Sequence, residues 1–261
     1  MAKIKANEAL VKALQAWDID HLYGIPGDSI DAVVDSLRTV RDSFKFYHVR
    51  HEEVASLSAA AYTKLTGKIG VALSIGGPGV VHLLNGMYDA KMDNVPQLII
   101  AGQTNSTLLG TKFFQETNIS KMVDDVAVFH HQVQKGDDLF EITNEAIRTA
   151  YEKNGVAVII CPNDLLTQKI KDTTNRAVDT TKPKPASPKF KSIKKAAKLI
   201  DKAKKPVMLI GLGTQHAKDE LREFIEAAKI PVIHTLPAKT ILPDDHPYSI
   251  GNLGKIGTKT S

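Results

Sequence analysis

The stretch YHVRHEEVAS, residues 47–56, indicates how this part of the chain folds. A predicted strand, 44–50, runs directly into an apolar, alanine-rich helix, 53–66. Glu52 and Glu53 stand at the junction between them. Carboxylates in the first turn of a helix often do no more than complement the helix dipole. The stretch therefore predicts a β–α unit, and the role of its carboxylates depends on what surrounds them.

Two similar units flank this one in the sequence. LYGIPGDS (22–29) lies upstream, and SIGGPGVVHLLNGMYDA (74–90) lies downstream. Each reads as a strand, a turn rich in glycine and proline, and a helix. The carboxyl ends of parallel strands meet at one edge of a sheet, where open α/β folds bind ligands. We expect the three turns to gather there, with a carboxylate placed to act on a bound molecule.

Strands and helices alternate along the chain, which predicts an α/β fold with a parallel sheet and helices on both faces. The strands VALSI (71–75) and LIIAG (98–102) are almost entirely apolar, as strands buried on both faces must be. Asp28 is the expected N-cap of the second helix. The predicted strands are 21–24, 44–50, 70–74, 97–102 and 156–161, and the predicted helices are 7–17, 29–40, 53–66, 79–92 and 139–153.

The same pattern divides the chain into two domains. The first covers 1–165, and a basic linker rich in threonine, proline and lysine follows at 166–190. A second α/β pattern occupies 191–261, with helices 192–203 and 217–228 and strands 206–210 and 231–235. Two strands bury too little of a sheet to complete a domain. We therefore expect the second domain to be incomplete in this sequence.

Composition narrows the class of protein. The formal net charge is +5, and residues 166–205 carry 13 lysines and arginines against 3 aspartates. This segment has one aromatic residue, Phe190, which favours a solvated linker and helix face over a nucleic-acid site. The single cysteine, Cys161, excludes an internal disulfide and fits a cytoplasmic protein. No apolar stretch approaches the length of a membrane span.

Several motifs in order resemble the thiamine-diphosphate-dependent enzymes of the pyruvate oxidase and acetolactate synthase family. The matching segments are YGIPGDS (23–29), VRHEEVASLSAAAYTKLTGKIGV (49–71), GGPGVVHLLNGMYDAKMDNVPQL (76–98), FFQETN (113–118), GVAVIICPND (155–164), KKPVMLIGLG (204–213) and TLPAKTILPDDHPYSIGNLG (235–254). The resemblance implies that the first domain binds the aminopyrimidine of thiamine diphosphate. It implies a middle domain that carries FAD in the oxidases, and a third domain, absent here, that binds the diphosphate and its Mg²⁺.

The resemblance also assigns site residues. Glu52 matches the glutamate that shares a proton with the cofactor's pyrimidine ring, with Glu53 as its rival. Each assignment competes with a structural role, such as an ordinary glycine turn, a structural histidine or a packed aromatic side chain. The residues implied to contact thiamine diphosphate are Gly27, Glu52, Gly76, Pro78, Gly79 and Asn85. Those implied to line the substrate pocket are His82, Phe114 and Gln115. Those implied to contact FAD are Gly211, Gly213, Thr235, Leu236, Gly251 and Asn252.

The other sequence motifs do not indicate a further binding or catalytic site. GLGTQH (211–216) has His216 where a dinucleotide fingerprint needs its third glycine, so it fails as a Rossmann motif. The nine histidines, including the adjacent His130 and His131, form no recognised metal-ligand spacing. We therefore predict no metal site within this chain. The sequence also contains no P-loop or nucleophile elbow.

The resemblance implies a flavin-linked pyruvate oxidase that decarboxylates pyruvate and passes electrons to FAD. One possible electron acceptor is oxygen, in which case phosphate is consumed and acetyl phosphate is formed. The other is a membrane quinone, in which case the complete protein would associate peripherally with the membrane. We expect the protein to form a homo-oligomer, a dimer of dimers. We expect no nucleic-acid partner. The alternatives are an acetolactate synthase and a non-catalytic binding or assembly module.

Overall fold

The computed structural model describes residues 2–182, 186–255 and 257–259. The chain divides into two compact units, Met1–Lys184 and Pro185–Ser261. We call them unit 1 and unit 2. None of the helices in the described ranges is long and apolar enough to cross a membrane.

Unit 1 is an α/β unit in which most strands are followed by a helix. Its strands are β1 (Lys3–Lys5), β2 (His21–Gly24), β3 (Lys45–His48), β4 (Gly70–Ser74), β5 (Gln97–Gln103), β6 (Ala127–Gln132), β7 (Val156–Pro162) and β8 (Lys169–Lys171). Its helices are α1 (Ala6–Ala16), α2 (Asp31–Arg38), α3 (Glu52–Thr66), α4 (Pro78–Met92), α5 (Ile119–Val123), α6 (Leu139–Lys153) and α7 (Asn163–Leu166).

A parallel sheet with helices on both faces forms the centre of unit 1, as predicted. Its strand order is β3-β2-β4-β5-β7-β6, and each neighbouring pair is parallel. Successive side chains of a strand point to opposite faces. In β5, Leu98 and Ile100 accordingly join a core with α1, α2 and α6. Ile99 and Ala101 join a separate core with α3 and α4. The continuous apolar run in β5 thus fills two cores at once.

Helices α3 and α4 approach each other unusually closely, and Gly86 makes this possible. A Cβ added at Gly86 would lie 2.5 Å from the backbone nitrogen of Leu57 and 2.5 Å from Cβ of Ser56. Both of these residues belong to α3, so only a glycine fits between the helices at this point. The contact lies one helical turn beyond Glu52 on α3 and one turn beyond His82 on α4, so it helps to hold these two side chains of the candidate site beside each other.

The structure corrects the predicted start of the second helix and the predicted extent of the linker. Ile30, not Asp28, is the N-cap of α2, and it makes no side-chain capping bond. Within the predicted linker, β8 pairs antiparallel with β1, bringing Ile170 opposite Ile4. Both strands read KIK, with the isoleucine buried and the lysines exposed. A three-residue strand is too short to give a recognisable periodic pattern.

Strand β6 lies in a region that the sequence analysis left without a strand. Every residue of β6 is half-buried, and the strand sits at the edge of the sheet beside β7. Its register with β7 shifts between Ala127 and Phe129. His130 and His131 occupy this strand, so the alternating apolar signal of a half-buried strand is weak here.

Unit 2 contains a small parallel sheet in the order β11-β10-β9. Its elements are α8 (Phe190–Lys202), β9 (Met208–Ile210), α9 (Lys218–Ala228), β10 (Val232–His234) and β11 (Ser249–Asn252). The sequence predicted β9 and β10 and missed β11, a short strand whose Gly251 has a positive φ of 108°. A small core forms between α9 and the sheet around Ile210, Ile225 and Val232. Helix α8 has no buried residue.

Candidate functional site

The predicted site residues of unit 1 follow the carboxyl ends of neighbouring parallel strands. Gly27 follows β2, Glu52 follows β3, and Gly76 follows β4. The loop after β5 carries Phe114 and Gln115. The sheet therefore brings these turns to one edge, as the sequence predicted, and this is where ligands bind in such folds.

Glu52 is the first residue of α3 and is well shielded from solvent. Its side chain is 13% exposed, and its Oε2 lies 2.9 Å from Nδ1 of His82 on α4. His51 is the N-cap of α3 and accepts a 3.3 Å hydrogen bond from the backbone N–H of Glu53. The rings of His51 and His82 stack with their centroids 4.3 Å apart. A shielded carboxylate thus lies beside two imidazoles at a helix N-terminus.

Glu53 has a different environment, although it is the next residue. Its side chain is 38% exposed, and its carboxylate accepts a hydrogen bond from the side-chain amide of Asn85. Of the two carboxylates at the junction, Glu52 is the less solvated. The more shielded of the two carboxylates is the better candidate for direct contact with a bound ligand, because a hydrogen bond is stronger where less water competes for it.

The GGPG turn, Gly76 to Gly79, connects the other predicted residues. The backbone N–H of Gly76 donates a 2.9 Å hydrogen bond to Oγ of Ser29, which ties this turn to the one after β2. Gly77 has φ of 59°, and a Cβ there would lie 2.5 Å from the carbonyl oxygen of Gln115. Pro78 is the first residue of α4, and Gly79 follows it. The turn packs too closely for larger residues.

Gly27 is held against the segment that leads into this turn. A Cβ at Gly27 would lie 2.6 Å from Cγ2 of Ile75. Gly27, Gly76 and Gly79 are therefore brought into one neighbourhood by packing between the turns after β2 and β4. The six residues predicted on the thiamine diphosphate side come from adjacent turns and from the paired helices α3 and α4.

A cavity of about 200 Å³ lies among the turns at this edge. Two of the three predicted substrate residues, Phe114 and Gln115, line it. The third, His82, instead contacts Glu52. Phe114 is 76% exposed, which excludes the alternative of an aromatic side chain packed in the core. The complete lining is Asp28, Ser29, Gly76, Gln103, Thr104, Asn105, Leu108, Phe113, Phe114, Gln115 and Asn163.

Sequence reasoning missed several residues of this region. The sequence analysis assigns no role to His51, yet it caps α3 and its ring stacks on that of His82. His51, Glu52 and His82 place one potential ligand atom each within 4.8 Å of one another, a cluster that the histidine spacings in the sequence do not indicate. Glu52 and His82 are 30 residues apart in the sequence, so no local spacing could reveal the cluster. The position of Ser29 at this site could have been predicted, since it ends the PGDS turn.

The predicted FAD residues gather at the carboxyl ends of the strands in unit 2. Gly211 follows β9, Thr235 and Leu236 follow β10, and Gly251 and Asn252 lie in β11. A Cβ at Gly211 would be 3.8 Å from Oγ1 of Thr235, so these two turns are adjacent. A shallow cavity of about 470 Å³ is lined by Gly251, Asn252 and five neighbours, which are Lys239, Asp244, Ser249, Ile250 and Thr258.

Comparison with family models identifies both units. Residues 4–122 match the thiamine pyrophosphate enzyme N-terminal TPP binding domain. Residues 193–261 match the thiamine pyrophosphate enzyme central domain. The chain belongs to the thiamine pyrophosphate enzyme family. The match to the N-terminal domain includes Glu52, His82 and the GGPG turn.

Relatives within the thiamine pyrophosphate enzyme family cover almost all of this chain. YdaP of Bacillus subtilis (strain 168), named as a thiamine pyrophosphate-containing protein, is 49% identical over 259 residues, 99% of this chain and 45% of YdaP. Pyruvate oxidase of Lactiplantibacillus plantarum is 39% identical over 98% of this chain and 43% of its own length. Acetolactate synthase of Mycobacterium leprae is 35% identical over 98% of this chain and 41% of its own. The chain spans less than half the length of these relatives.

Proposed function

We propose that this chain is the pyrimidine-binding and central part of a flavin-linked pyruvate oxidase. The observation that supports this most is the shielded Glu52 at the start of α3, paired with His82, in a domain whose family binds thiamine pyrophosphate. In this proposal the enzyme decarboxylates pyruvate and passes two electrons to FAD and then to oxygen or a quinone. The 39% identity to a pyruvate oxidase supports it.

The residues present fit the pyrimidine half of thiamine diphosphate. Glu52 offers a carboxyl group that can hold a proton at Oε1 or Oε2 and exchange it with a ring nitrogen. The glycines of the GGPG turn let it pack directly against Gly102, Gln115 and Ser74, which fixes its backbone at this edge of the sheet. When bound, thiamine diphosphate supplies the electron sink that stabilises the carbanion left after decarboxylation.

His82 and Asn85 are proposed as positioning residues in this arrangement. His82 is within 2.9 Å of Oε2 of Glu52 and so restricts the orientation of that carboxylate. Asn85 ties the neighbouring Glu53 to α4, which keeps the two acidic side chains apart. Phe114 and Gln115, in the cavity at the sheet edge, are proposed to line the pyruvate site.

FAD is proposed as the second cofactor, bound by unit 2. Five of the six predicted residues lie at or just beyond the carboxyl ends of parallel strands, and the sixth, Gly213, lies in the turn after β9. Gly213 has open space around its Cα, because a Cβ there would meet nothing within 4 Å. The match of unit 2 to the family's central domain supports this assignment.

We further propose that a second subunit completes the site. Six large hydrophobic side chains on α3 and α4 are exposed, those of Val54, Leu57, Leu65, Val81, Tyr88 and Met92. Apolar surface of this kind, beside the Glu52–His82 pair, is suited to packing against another domain. In the proposed assembly, a dimer of dimers, the diphosphate-binding domain of a partner subunit covers it and holds Mg²⁺.

An acetolactate synthase is the second candidate. Acetolactate synthases align over 98–99% of the chain at 31–35% identity, not far below the pyruvate oxidase at 39%. Such an enzyme would condense two pyruvates with no net redox change. Flavin reduction separates the two candidates, because only the oxidase must pass electrons from its substrate to FAD.

The test uses the complete protein, purified with its flavin. Under anaerobic conditions, pyruvate should bleach the yellow flavin absorbance, and oxygen or a quinone should restore it. A flavin that stays oxidised with pyruvate would favour the synthase. A colourless protein that still decarboxylates pyruvate would remove FAD from the proposal.

A further inference from the structure

The carboxylate of Glu116 lies against the backbone of the loop between β5 and α5. It accepts hydrogen bonds from the backbone N–H groups of Gly110 and, at 3.1 Å, of Phe113. The backbone N–H groups of residues 110–113 together lower the pKa of Glu116, and that of Gly110 contributes most. Successive N–H groups that converge in this way form an anion site, and here the chain itself supplies the anion. The ionised carboxylate therefore holds this segment in one shape.

The same residue closes the turn that presents Phe114 and Gln115. The backbone N–H of Glu116 donates a 2.9 Å bond to the carbonyl oxygen of Phe113, so Phe114 and Gln115 are the two central residues of a β-turn. Gln115 has φ of 60°, in the left-handed region that residues other than glycine seldom adopt. Its carbonyl oxygen faces Gly77, where a Cβ would lie 2.5 Å from it. A backbone in this conformation persists only where its surroundings impose it.

The two ends of the loop are anchored separately from its middle. The buried side chain of Gln103, the last residue of β5, donates a 2.9 Å bond from Nε2 to the carbonyl oxygen of Thr117. Its Oε1 accepts a 2.9 Å bond from the backbone N–H of Thr104. These bonds tie the start of the loop to its end. The carboxylate of Glu116 is the contact that shapes the segment between them.

Glu116 does not line the cavity at the sheet edge, but Phe114 and Gln115 do. We propose that Glu116 is a positioning residue, whose carboxylate holds Phe114 and Gln115 in the cavity where the substrate binds. Little packing would hold Phe114 there in an open loop, because its side chain is 76% exposed. The inference rests on the proposed function in one respect, since pyruvate is taken as the substrate of this cavity.

The first test follows the rate of flavin reduction by pyruvate in the complete protein carrying Glu116→Ala. The KM for pyruvate should rise at least about 10-fold, because misplacing a substrate-positioning group by about 1 Å can cost about 100-fold. The change in kcat should be smaller, since residues that line a pocket also bind the ground state. Thiamine diphosphate binding and the melting temperature should stay at the wild-type values. Glu116→Gln keeps an acceptor oxygen without the charge and should recover part of the loss.

Combined substitutions separate positioning from a general structural role. If Glu116 acts only through the turn, Glu116→Ala should raise KM no further in a chain that already carries Phe114→Ala and Gln115→Ala. Fully additive effects would overturn this inference alone and leave the pyruvate site in place. An unchanged KM in the chain with Phe114→Ala and Gln115→Ala would remove the proposed pyruvate site, and this inference with it.

The shape of the loop can also be measured without activity, by trypsin cleavage after Lys112 in the 261-residue chain. Glu116→Ala should be cut there at least about 10-fold faster than the wild type, because cleavage follows the population of the opened loop. Equal cleavage rates would overturn the proposal.

Asp137→Ala is the matched control for both tests. The carboxylate of Asp137 accepts a 2.8 Å bond from the backbone N–H of Gln134, and its backbone N–H donates a 3.2 Å bond to the carbonyl oxygen of Gln134. Asp137 thus closes a similar turn, but outside the cavity lining. Its replacement should change neither the KM for pyruvate nor cleavage after Lys112. Changes as large as those of Glu116→Ala would contradict a specific role for Glu116.

Discussion

Replacing Gly86 by alanine should loosen the contact between α3 and α4 that positions Glu52. In an isolated helix the change would stabilise by about 0.8–1.0 kcal/mol, since glycine is a poor helix former. Here the new Cβ would lie 2.5 Å from the backbone nitrogen of Leu57 and 2.5 Å from Cβ of Ser56. Carbon atoms in good contact are about 3.5–4.0 Å from their neighbours, so α3 and α4 would have to separate by about 1 Å.

The magnitude follows from these two opposing effects. Overpacking a core typically costs about 1–3 kcal/mol. Because the obstructing atoms include backbone and cannot rotate away, we place Gly86→Ala near the upper end of that range. After subtraction of the propensity gain, the free energy of unfolding should fall by about 2 kcal/mol. For a unit of this size the melting temperature should fall by about 4–8 °C.

Thermal and urea unfolding, followed by circular dichroism, measure both quantities. Gly213→Ala is the control, because a Cβ at Gly213 would meet nothing within 4 Å. This substitution should leave the free energy of unfolding unchanged or raise it slightly. A Gly86→Ala chain as stable as the wild type, or more stable, would refute the close packing of α3 on α4.

Three further predictions concern other parts of the molecule. Oγ1 of the buried Thr63 accepts a 2.7 Å bond from the backbone N–H of Gly70, so Thr63→Val should lower the free energy of unfolding by about 1–3 kcal/mol, while Thr63→Ser should lose less in the same urea titration. Burial raises the pKa of the Cys161 thiol to about 12, so a thiol reagent at pH 8 should react with Cys161 only after denaturant unfolds unit 1; fast labelling of the native chain would contradict its burial. Helix α8 has no buried residue and should open at little cost, so limited trypsin digestion with mass spectrometry should find the first cuts there and not in α6.

Elements of unit 1 with strong local signals could be predicted from the sequence. The bounds of α6 agree with the prediction because both ends are marked, by Asp138 as N-cap and by Asn154 in the left-handed conformation. Strand β4 was also predicted to the residue, since it is an apolar run after Gly67 and before the GGPG turn. Strands β6 and β11 were missed because half-buried or glycine-containing edge strands have little periodic signal.

The site was also predicted only in part, because local sequence marks its turns but not the contacts between its helices. The turns and the Glu52–Glu53 junction could be located, because each sits at a strand end that the sequence marks, and the choice of Glu52 over Glu53 came from the family resemblance. The contact of Glu52 with His82, and the stacking of His51 on His82, depend on how α3 packs on α4 through Gly86. Packing between helices is not readable from local sequence, so the cluster emerged only from the structure.

The role of Glu52 is tested most directly by proton exchange at C2 of bound thiamine diphosphate in the complete protein. Glu52→Gln should slow this exchange by about 10²–10⁴-fold, the contribution of a positioned acid or base, while leaving the melting temperature almost unchanged. Glu53→Gln, which alters the neighbouring carboxylate that bonds Asn85, should have a much smaller effect. Equal slowing by both substitutions, or no slowing by Glu52→Gln, would contradict the assignment of Glu52 as the carboxylate that acts on the cofactor.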